Sequence, residues 1–290
     1  MTTAPRTTRS QSEKGAAFRA LHQRDGAFVI PNPFDAGTAR LLEYLGFEAL
    51  ATTSAGFAAT LGQLDNTVGR ERMIEHVGAI AAATDLPVNG DLENGFGDEP
   101  EAAAETIRQA AAAGLVGGSI EDSTGARQPG RADAPVYEIA HAAERVRAAV
   151  EAARAQPFPF TLTARAENFV VGRPDLADTI RRLQAYQEAG ADVLYAPGLA
   201  TSEDIAEVVR SVDRPINVLI GMPGMTLDLA GLAELGVKRV SVGSGLSSVA
   251  LGAFVRAARE MREQGTFTFT REAASYRELR AAFRARGANR

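Results

Sequence analysis

Along this chain, short apolar runs alternate with longer stretches in which apolar residues recur at helical spacing. The runs are AFVI (27–30), EALAT (48–52), LPVNGD (86–91), VGGSIE (116–121), FTLTAR (160–165), DVLYA (192–196), PINVLI (215–220) and RVSVG (239–243). Their length and their bounding turn residues predict eight strands. Ala-rich amphipathic segments predict helices over 11–24, 35–45, 70–84, 100–113, 135–155, 174–189, 202–211, 226–235 and 245–263. Four helix-to-strand junctions, YLGFEAL, AAGLVGG, EAGADVL and ELGVKRV, carry a Gly followed by apolar residues. Gly supplies the left-handed residue that closes a helix, and the apolar residues then begin a strand. Strand, helix and glycine in repetition predict a parallel α/β sheet, and eight units close into a (β/α)8 TIM barrel. An open doubly wound sheet is the competing arrangement, but no GxGxxG follows the first strand.

The ends of the chain break this rhythm. Residues 1–10 are polar and without period, and are expected to form a disordered tail. The barrel is expected over 11–263, and a C-terminal extension over 264–290. Residues 264–270 read as extended, and 270–286 as a further helix with Ala274, Leu279 and Phe283 on one side. An isolated helix of that length is marginal in water, so its apolar side needs a partner. That partner is its own barrel or a neighbouring subunit, and the extended connector favours exchange between subunits.

Composition narrows the function. The 290 residues suit one barrel domain, and no Pro/Gly-rich linker divides them. A net charge of −5 argues against a nucleic-acid partner, which would require a basic face. No run of about 18 uninterrupted apolar residues exists, so no membrane span is expected. The N-terminus lacks the apolar core of a secretory signal, and a cytoplasmic location is expected. The absence of Cys excludes disulfides, thiolate metal ligands and a cysteine nucleophile. The three histidines, His22, His76 and His141, fall in predicted helices as surface or packing residues, which leaves a Ser/His/Asp triad without a base.

Barrel chemistry belongs at the C-terminal ends of the strands. There the third strand ends in Asp91-Leu92-Glu93-Asn94-Gly95-Phe96-Gly97, the fourth in Glu121-Asp122, and the fifth in Arg165 followed by Glu167-Asn168. The four carboxylates Asp91, Glu93, Glu121 and Asp122 at one mouth would repel one another, and a hard divalent cation, Mg²⁺ or Mn²⁺, would remove the conflict. Each acid alone also suits a helix cap. Arg165 is read as a clamp on a substrate carboxylate, or as a buried ion pair with Glu167 or Glu121. The second strand ends in TTSAGF, whose small residues suit an anionic oxygen or a tight turn, with Asp65 downstream; the seventh carries Asn217.

These segments together resemble the isocitrate lyase/phosphoenolpyruvate mutase superfamily. The resemblance rests on AFVIPNPFDAGTARLLEYLGFEAL, TTSAGF, DLENGFG, SIED and TARAENF, and runs from about 18 to 262. It implies a metal site at Asp91, Glu93 and Glu121, with Glu93 standing where the family has a second Asp. It implies catalytic roles for Arg165, Asp65 and Glu121. It also implies substrate binding by Thr53, Ser54, Ala55, Gly56 and Asn217, and a homotetramer that exchanges a C-terminal helix.

Two departures from the family sharpen the expectation. Family lyases carry a Lys/Arg-Cys-Gly-His segment in the mobile loop after strand 4. Here that loop, Ser123 to Arg131, holds no Cys, Lys or His. The mutase branch has a His after strand 6, where this chain has Tyr195-Ala196-Pro197-Gly198. The expected activity is therefore Mg²⁺-dependent C–C cleavage of a small 2-oxo acid or substituted malate through an enolate, most simply decarboxylation of oxaloacetate. Phosphonopyruvate mutase or hydrolase chemistry is the alternative, and a barrel that binds a 2-oxo acid without turnover is another. The pocket is expected to involve Phe57, Tyr195 and a lid over 123–134, from which Arg127 or Arg131 would reach a bound anion.

Overall fold

The computed structural model describes residues 8–124, 135–221 and 225–284. Its eight strands are β1 (Phe28–Ile30), β2 (Leu50–Ala51), β3 (Val88–Asp91), β4 (Gly117–Glu121), β5 (Thr161–Arg165), β6 (Val193–Tyr195), β7 (Ile216–Leu219) and β8 (Arg239–Ser241). All pairings are parallel, in the order β1-β8-β7-β6-β5-β4-β3-β2. Between β1 and β2 the Ala51 N–H donates to the Pro31 carbonyl (3.1 Å), and the Asn32 amide donates to the Thr52 carbonyl (2.8 Å). These two bonds bring the last edges together, so the eight strands form a nearly closed (β/α)8 barrel.

Helices cover the outside: α1 (Gln11–Gln23), α2 (Ala36–Tyr44), α3 (Ser54–Thr60), α4 (Arg70–Ala83), α5 (Pro100–Ala112) and α6 (Ile139–Arg154) come first. They are followed by α7 (Leu176–Glu188), α8 (Ser202–Arg210), α9 (Leu229–Glu234), α10 (Gly245–Gln264) and α11 (Tyr276–Arg284). Ser10, Asp35, Asp175, Thr201 and Asp228 cap helix starts with side-chain oxygens. The four glycines at the predicted junctions, Gly46, Gly114, Gly190 and Gly236, all have φ between 88° and 104°. Leu50, Val88, Ile120, Leu162 and Leu194 are buried in the main core. Small side chains let α5 lie closely against α6, through buried Ala103, Ala110, Ala142 and Ala149 among others.

Three departures from the sequence expectation have local causes. TTSAGF is not only a turn: the Thr53 hydroxyl accepts from the Gly56 N–H (3.2 Å) and starts helix α3. Helix α6 begins at Ile139 rather than 135, because Val136 is engaged in an antiparallel bridge with Ser123. In the C-terminal extension, a 3-10 turn at Thr268–Glu272 precedes α11, which starts at Tyr276 rather than 270 and leaves Ala274 outside it. Within the single chain, α11 lies against α2 with Ala282 buried. Most of the tail and the loop carrying Arg127 and Arg131 lie outside the described residues.

The strand register prepares the site. Arg165 lies level with Tyr195, Tyr195 with Asn217, and Asn217 with Arg239. Four neighbouring strands thus contribute polar residues to the inside of the barrel.

Candidate active site

The barrel mouth opens on a cavity of about 210 Å³. Thr53, Ser54, Ala55 and Asp65 line it from the β2 side, Asp91, Glu121 and Arg165 from β3 to β5, and Asn217 from β7. All eight are among the residues the sequence points to. Gly56 stands apart from the lining. A Cβ there would lie 2.5 Å from the Thr53 methyl and 3.1 Å from the Phe34 Cβ, so Gly is required for packing. Phe57 likewise points elsewhere, stacking on His76 with ring centroids 3.7 Å apart.

Arg165 is the centre of the acid cluster. Its Nη1 donates to Asp91 Oδ1 (2.8 Å), its Nη2 pairs with Glu121 (3.1 Å) and Glu167 (2.8 Å), and its Nε donates to Glu167 (2.9 Å). Of the two readings of Arg165, the structure therefore displays the buried ion pair. Burial works against its charge, yet Glu167, Glu121 and Asp91 hold it well above its ordinary value. The guanidinium also lies over the Tyr195 ring, 5.1 Å from the centroid. Asp91 is fixed from its other side, where Oδ2 accepts from the Ser54 N–H and hydroxyl, both at 2.9 Å. Glu121 accepts a short hydrogen bond from the Ser123 hydroxyl.

Asp122 does not belong to this group. It turns outward onto the Arg182 guanidinium (3.1 Å), the Tyr186 hydroxyl (2.5 Å) and the Glu167 N–H (2.8 Å). It braces β5 and α7, and the expected crowd of four carboxylates reduces to Asp91, Glu93 and Glu121, with Asp65 and Glu167 beside them.

Glu93 is unusual in conformation and in charge. Its φ of 49° is left-handed, as is that of Phe96 at 59°. Such residues are strained outside Gly and persist where the surroundings fix them. Here the Glu121 N–H donates to the Glu93 carbonyl (3.0 Å). Arg145, buried in α6, donates to the carbonyls of Asn94, Gly97 (2.6 Å) and Asp98 (2.5 Å), and Arg70 adds a bond to Gly95 (3.2 Å). The sequence places the sharp turning of this loop in its glycines and does not single out these two arginines. The resulting turn buries the Glu93 carboxylate. Burial raises its pKa to about 8, aided by the charges of Asp91, Asp65 and Glu121. Its Oε1 is buried without a hydrogen-bond partner.

These residues fit a small hard dication. One guanidinium faces three carboxylates, and Glu93 and Asp65 add to the negative excess. An orphaned carboxylate oxygen among them is what such an ion would satisfy. Among the described residues, no three His, Cys, Asp or Glu converge as a ready-made cage. Asp91 and Glu121 are turned onto Arg165, with Glu93 buried beside them. An ion that keeps several waters and takes one or two carboxylates suits this arrangement.

The pH dependence follows from Glu93. The folded chain holds this proton more tightly than the unfolded chain, whose Glu titrates near 4.5. That contribution to stability is full below about pH 4.5 and is lost as pH rises toward about 8. In EDTA, Glu93→Gln is expected to gain Tm over the wild type as pH is raised from 5 to 8.5. Scanning calorimetry at both pH values checks this, and a difference independent of pH would contradict it.

The β7–β8 side of the wall carries no acid. Asn217 donates to the Ser241 hydroxyl (3.0 Å) and accepts from the Arg239 Nε (2.9 Å). Sequence reasoning misses Arg239, because it stands at the start of a strand rather than at its end. Of the histidines, His22 packs edge-on between Phe18 and Phe28, and burial pushes it down to about 3. Burial likewise pushes His76 down to about 4. His141 contacts the Asp98 carbonyl (2.9 Å). None lines the cavity.

Known proteins share this fold and much of this sequence. A crystal structure from Burkholderia cenocepacia J2315 shares 60% identity, with a TM-score of 0.89 over 94% of this chain and 96% of that one. The Escherichia coli 2-methylisocitrate lyase is 30% identical over 205 residues, 70% of this chain and 68% of the relative. The oxaloacetate decarboxylase of Pseudomonas savastanoi pv. phaseolicola is 28% identical over 257 residues, 88% of this chain and 86% of the relative. The family model for phosphoenolpyruvate phosphomutase matches residues 18–262. The chain belongs to the phosphoenolpyruvate phosphomutase family, and its relatives include lyases acting on small organic acids.

Proposed function

We propose that this protein is a Mg²⁺-dependent carbon–carbon lyase that decarboxylates oxaloacetate or a closely related 2-oxo acid. The observation that carries this reading is the make-up of the cavity wall. Acids in excess of the Arg165 guanidinium line one side, Asn217, Ser241 and Arg239 stand on the other, and no Cys, His or Lys is among the lining residues. Loss of CO2 requires an electron sink but no proton relay. Aldol-type cleavage of a substituted malate requires a base for its hydroxyl, and the loop after β4 holds no Cys, Lys or His.

Asp91, Glu93 and Glu121, with Asp65 near them, would hold the cation. When bound, it polarises the 2-oxo oxygen and offsets the charge that develops there. The protein does the rest. Arg165 keeps Asp91, Glu121 and Glu167 in place and supplies fixed positive charge beside the reacting carbonyl. Thr53, Ser54 and Ala55 face the substrate from the β2 side, and Asn217 from β7. The C3–C4 bond breaks, its electron pair moves into C2–C3 as the C2=O π pair moves onto the oxygen, and CO2 departs; the enolate then re-forms C2=O and takes a proton from water at C3, which completes pyruvate. The similarity to an oxaloacetate decarboxylase supports this assignment.

A substrate panel tests it. Pyruvate release from oxaloacetate is expected to exceed release from 2-alkylmalates, with no phosphorus NMR change on phosphonopyruvate. A faster reaction on an alkylmalate, or loss of the P–C signal, would replace the reading with lyase or phosphonate chemistry. Oxalate binding without turnover of any of these would indicate a binding protein.

We also infer a homotetramer. Helix α10 leaves Val249 and Phe254 69% and 70% exposed, and Tyr276 beyond it is 78% exposed. Large apolar side chains left exposed on one helix suit an interaction surface. Truncation after Gly265 is expected to lower the mass seen by light scattering. An unchanged mass would count against exchange of the C-terminal helix.

A further inference from the structure

Among the described residues, Arg239 is a cation without a counter-ion. It is buried at the cavity floor, and its Nε, Nη2 and Nη1 meet Asn217 Oδ1 (2.9 Å), Thr163 Oγ1 (3.0 Å) and His22 Nε2 (3.5 Å). All three partners are neutral, His22 because burial holds its pKa near 3. Among the described residues no carboxylate pairs with it. Burial pulls the guanidinium down to about 9, which leaves it charged at neutral pH. A buried, uncompensated charge is costly to a fold, and arginine is a favoured residue for carboxylate recognition.

The same residue fixes its neighbour. A guanidinium can only donate, so the Asn217 amide oxygen must face Arg239. The amide NH2 is thereby turned to the Ser241 side, where both residues line the cavity. The acids stand on β3 to β5, and these donors stand on β7 and β8. The cavity is thus polarised across its width, negative on the side that suits a cation and positive on the other.

We propose that Arg239, directly and through Asn217, makes the β7–β8 side of the cavity a subsite for a second carboxylate, selecting four-carbon dicarboxylates over shorter acids. The proposal rests on the reading of the cavity as a 2-oxo acid site and adds its specificity. A substrate with its carbonyl end at the acid cluster would carry its distal carboxylate into the field of Arg239.

Titration calorimetry in Mg²⁺ with two unreactive probes tests this. Oxalate has two carbons and no carboxylate beyond the 2-oxo-acid end, whereas malate has a distal carboxylate. Arg239→Met is expected to weaken malate by at least about tenfold and to change oxalate by less than about twofold. Asn217→Asp is the second variant, since it gives Arg239 the counter-ion it lacks. It is expected to raise Tm and to weaken malate far more than oxalate. Equal losses for both probes, or unchanged malate affinity in either variant, would overturn the subsite. Wild-type protein that binds no oxalate would overturn the oxo-acid reading and the subsite with it. Normal oxalate binding with malate indifferent to Arg239 would overturn the subsite alone.

Discussion

Arg165→Met is expected to destabilise the protein by about 3–5 kcal/mol, the usual consequence of removing one partner from a buried ion pair. The side chain is enclosed by Asp91, Glu121 and Glu167, each within 3.1 Å of one of its nitrogens. Methionine fills a similar volume but leaves three carboxylates facing one another, with Glu93 already holding its proton unusually tightly. Part of the loss is expected to return in two ways. Millimolar Mg²⁺ supplies positive charge to the same acids, and a second change, Glu167→Gln, removes one of them. Urea denaturation of the single and double variants, with and without Mg²⁺, checks this. A loss below about 1 kcal/mol, the range of exposed pairs, would mean that the cluster is not held by Arg165.

The largest catalytic effect is expected from Asp91→Asn, a fall in turnover of about a thousandfold, or roughly 4 kcal/mol of transition-state stabilisation. The substitution preserves shape but reverses hydrogen bonding. The carboxylate accepts from Ser54 on one side and from Arg165 on the other. An amide has an NH2 that must face one of these donors, and it has no charge for Arg165 or for a cation. The Mg²⁺-dependent rise in Tm is expected to disappear with the activity, while circular dichroism is retained. Asp91→Glu, which keeps the charge but displaces it by a methylene, is expected to fall between the two. Turnover within tenfold of wild type in Asp91→Asn would remove this residue from the metal site.

What was legible in the sequence divides along physical lines. All eight strands fall inside the apolar runs, because strands covered on both faces must be apolar almost throughout. The glycines closing the helices were legible because a left-handed residue is a local requirement. Asp91, Glu121 and Arg165 were legible because a charge that ends an apolar strand at a barrel mouth contributes little to packing. Arg145 and Arg182 were harder to find. Each is a charge on the buried face of a helix, Arg145 with Ala142, Val146 and Ala149, and Arg182 with Thr179, Leu183 and Tyr186. That spacing was a usable signal, and Asp178 one turn away is a local partner for Arg182, but the loop that Arg145 holds and the Asp122 carboxylate that Arg182 reaches are brought near only by the fold. The left-handed Glu93 and the outward turn of Asp122 were not legible. Both depend on hydrogen bonds between strands far apart in sequence. Arg239 escaped because the strand-end rule selects the mouth of a barrel, and its guanidinium belongs to the floor.

Pyruvate formation from oxaloacetate, followed by coupled reduction with saturating Mg²⁺ and again after EDTA, tests the central claim most directly. The expected result is turnover well above the spontaneous rate that EDTA abolishes, that added Mg²⁺ or Mn²⁺ restores, and that Asp91→Asn lacks. Turnover indifferent to EDTA, or none above the spontaneous rate, would contradict it.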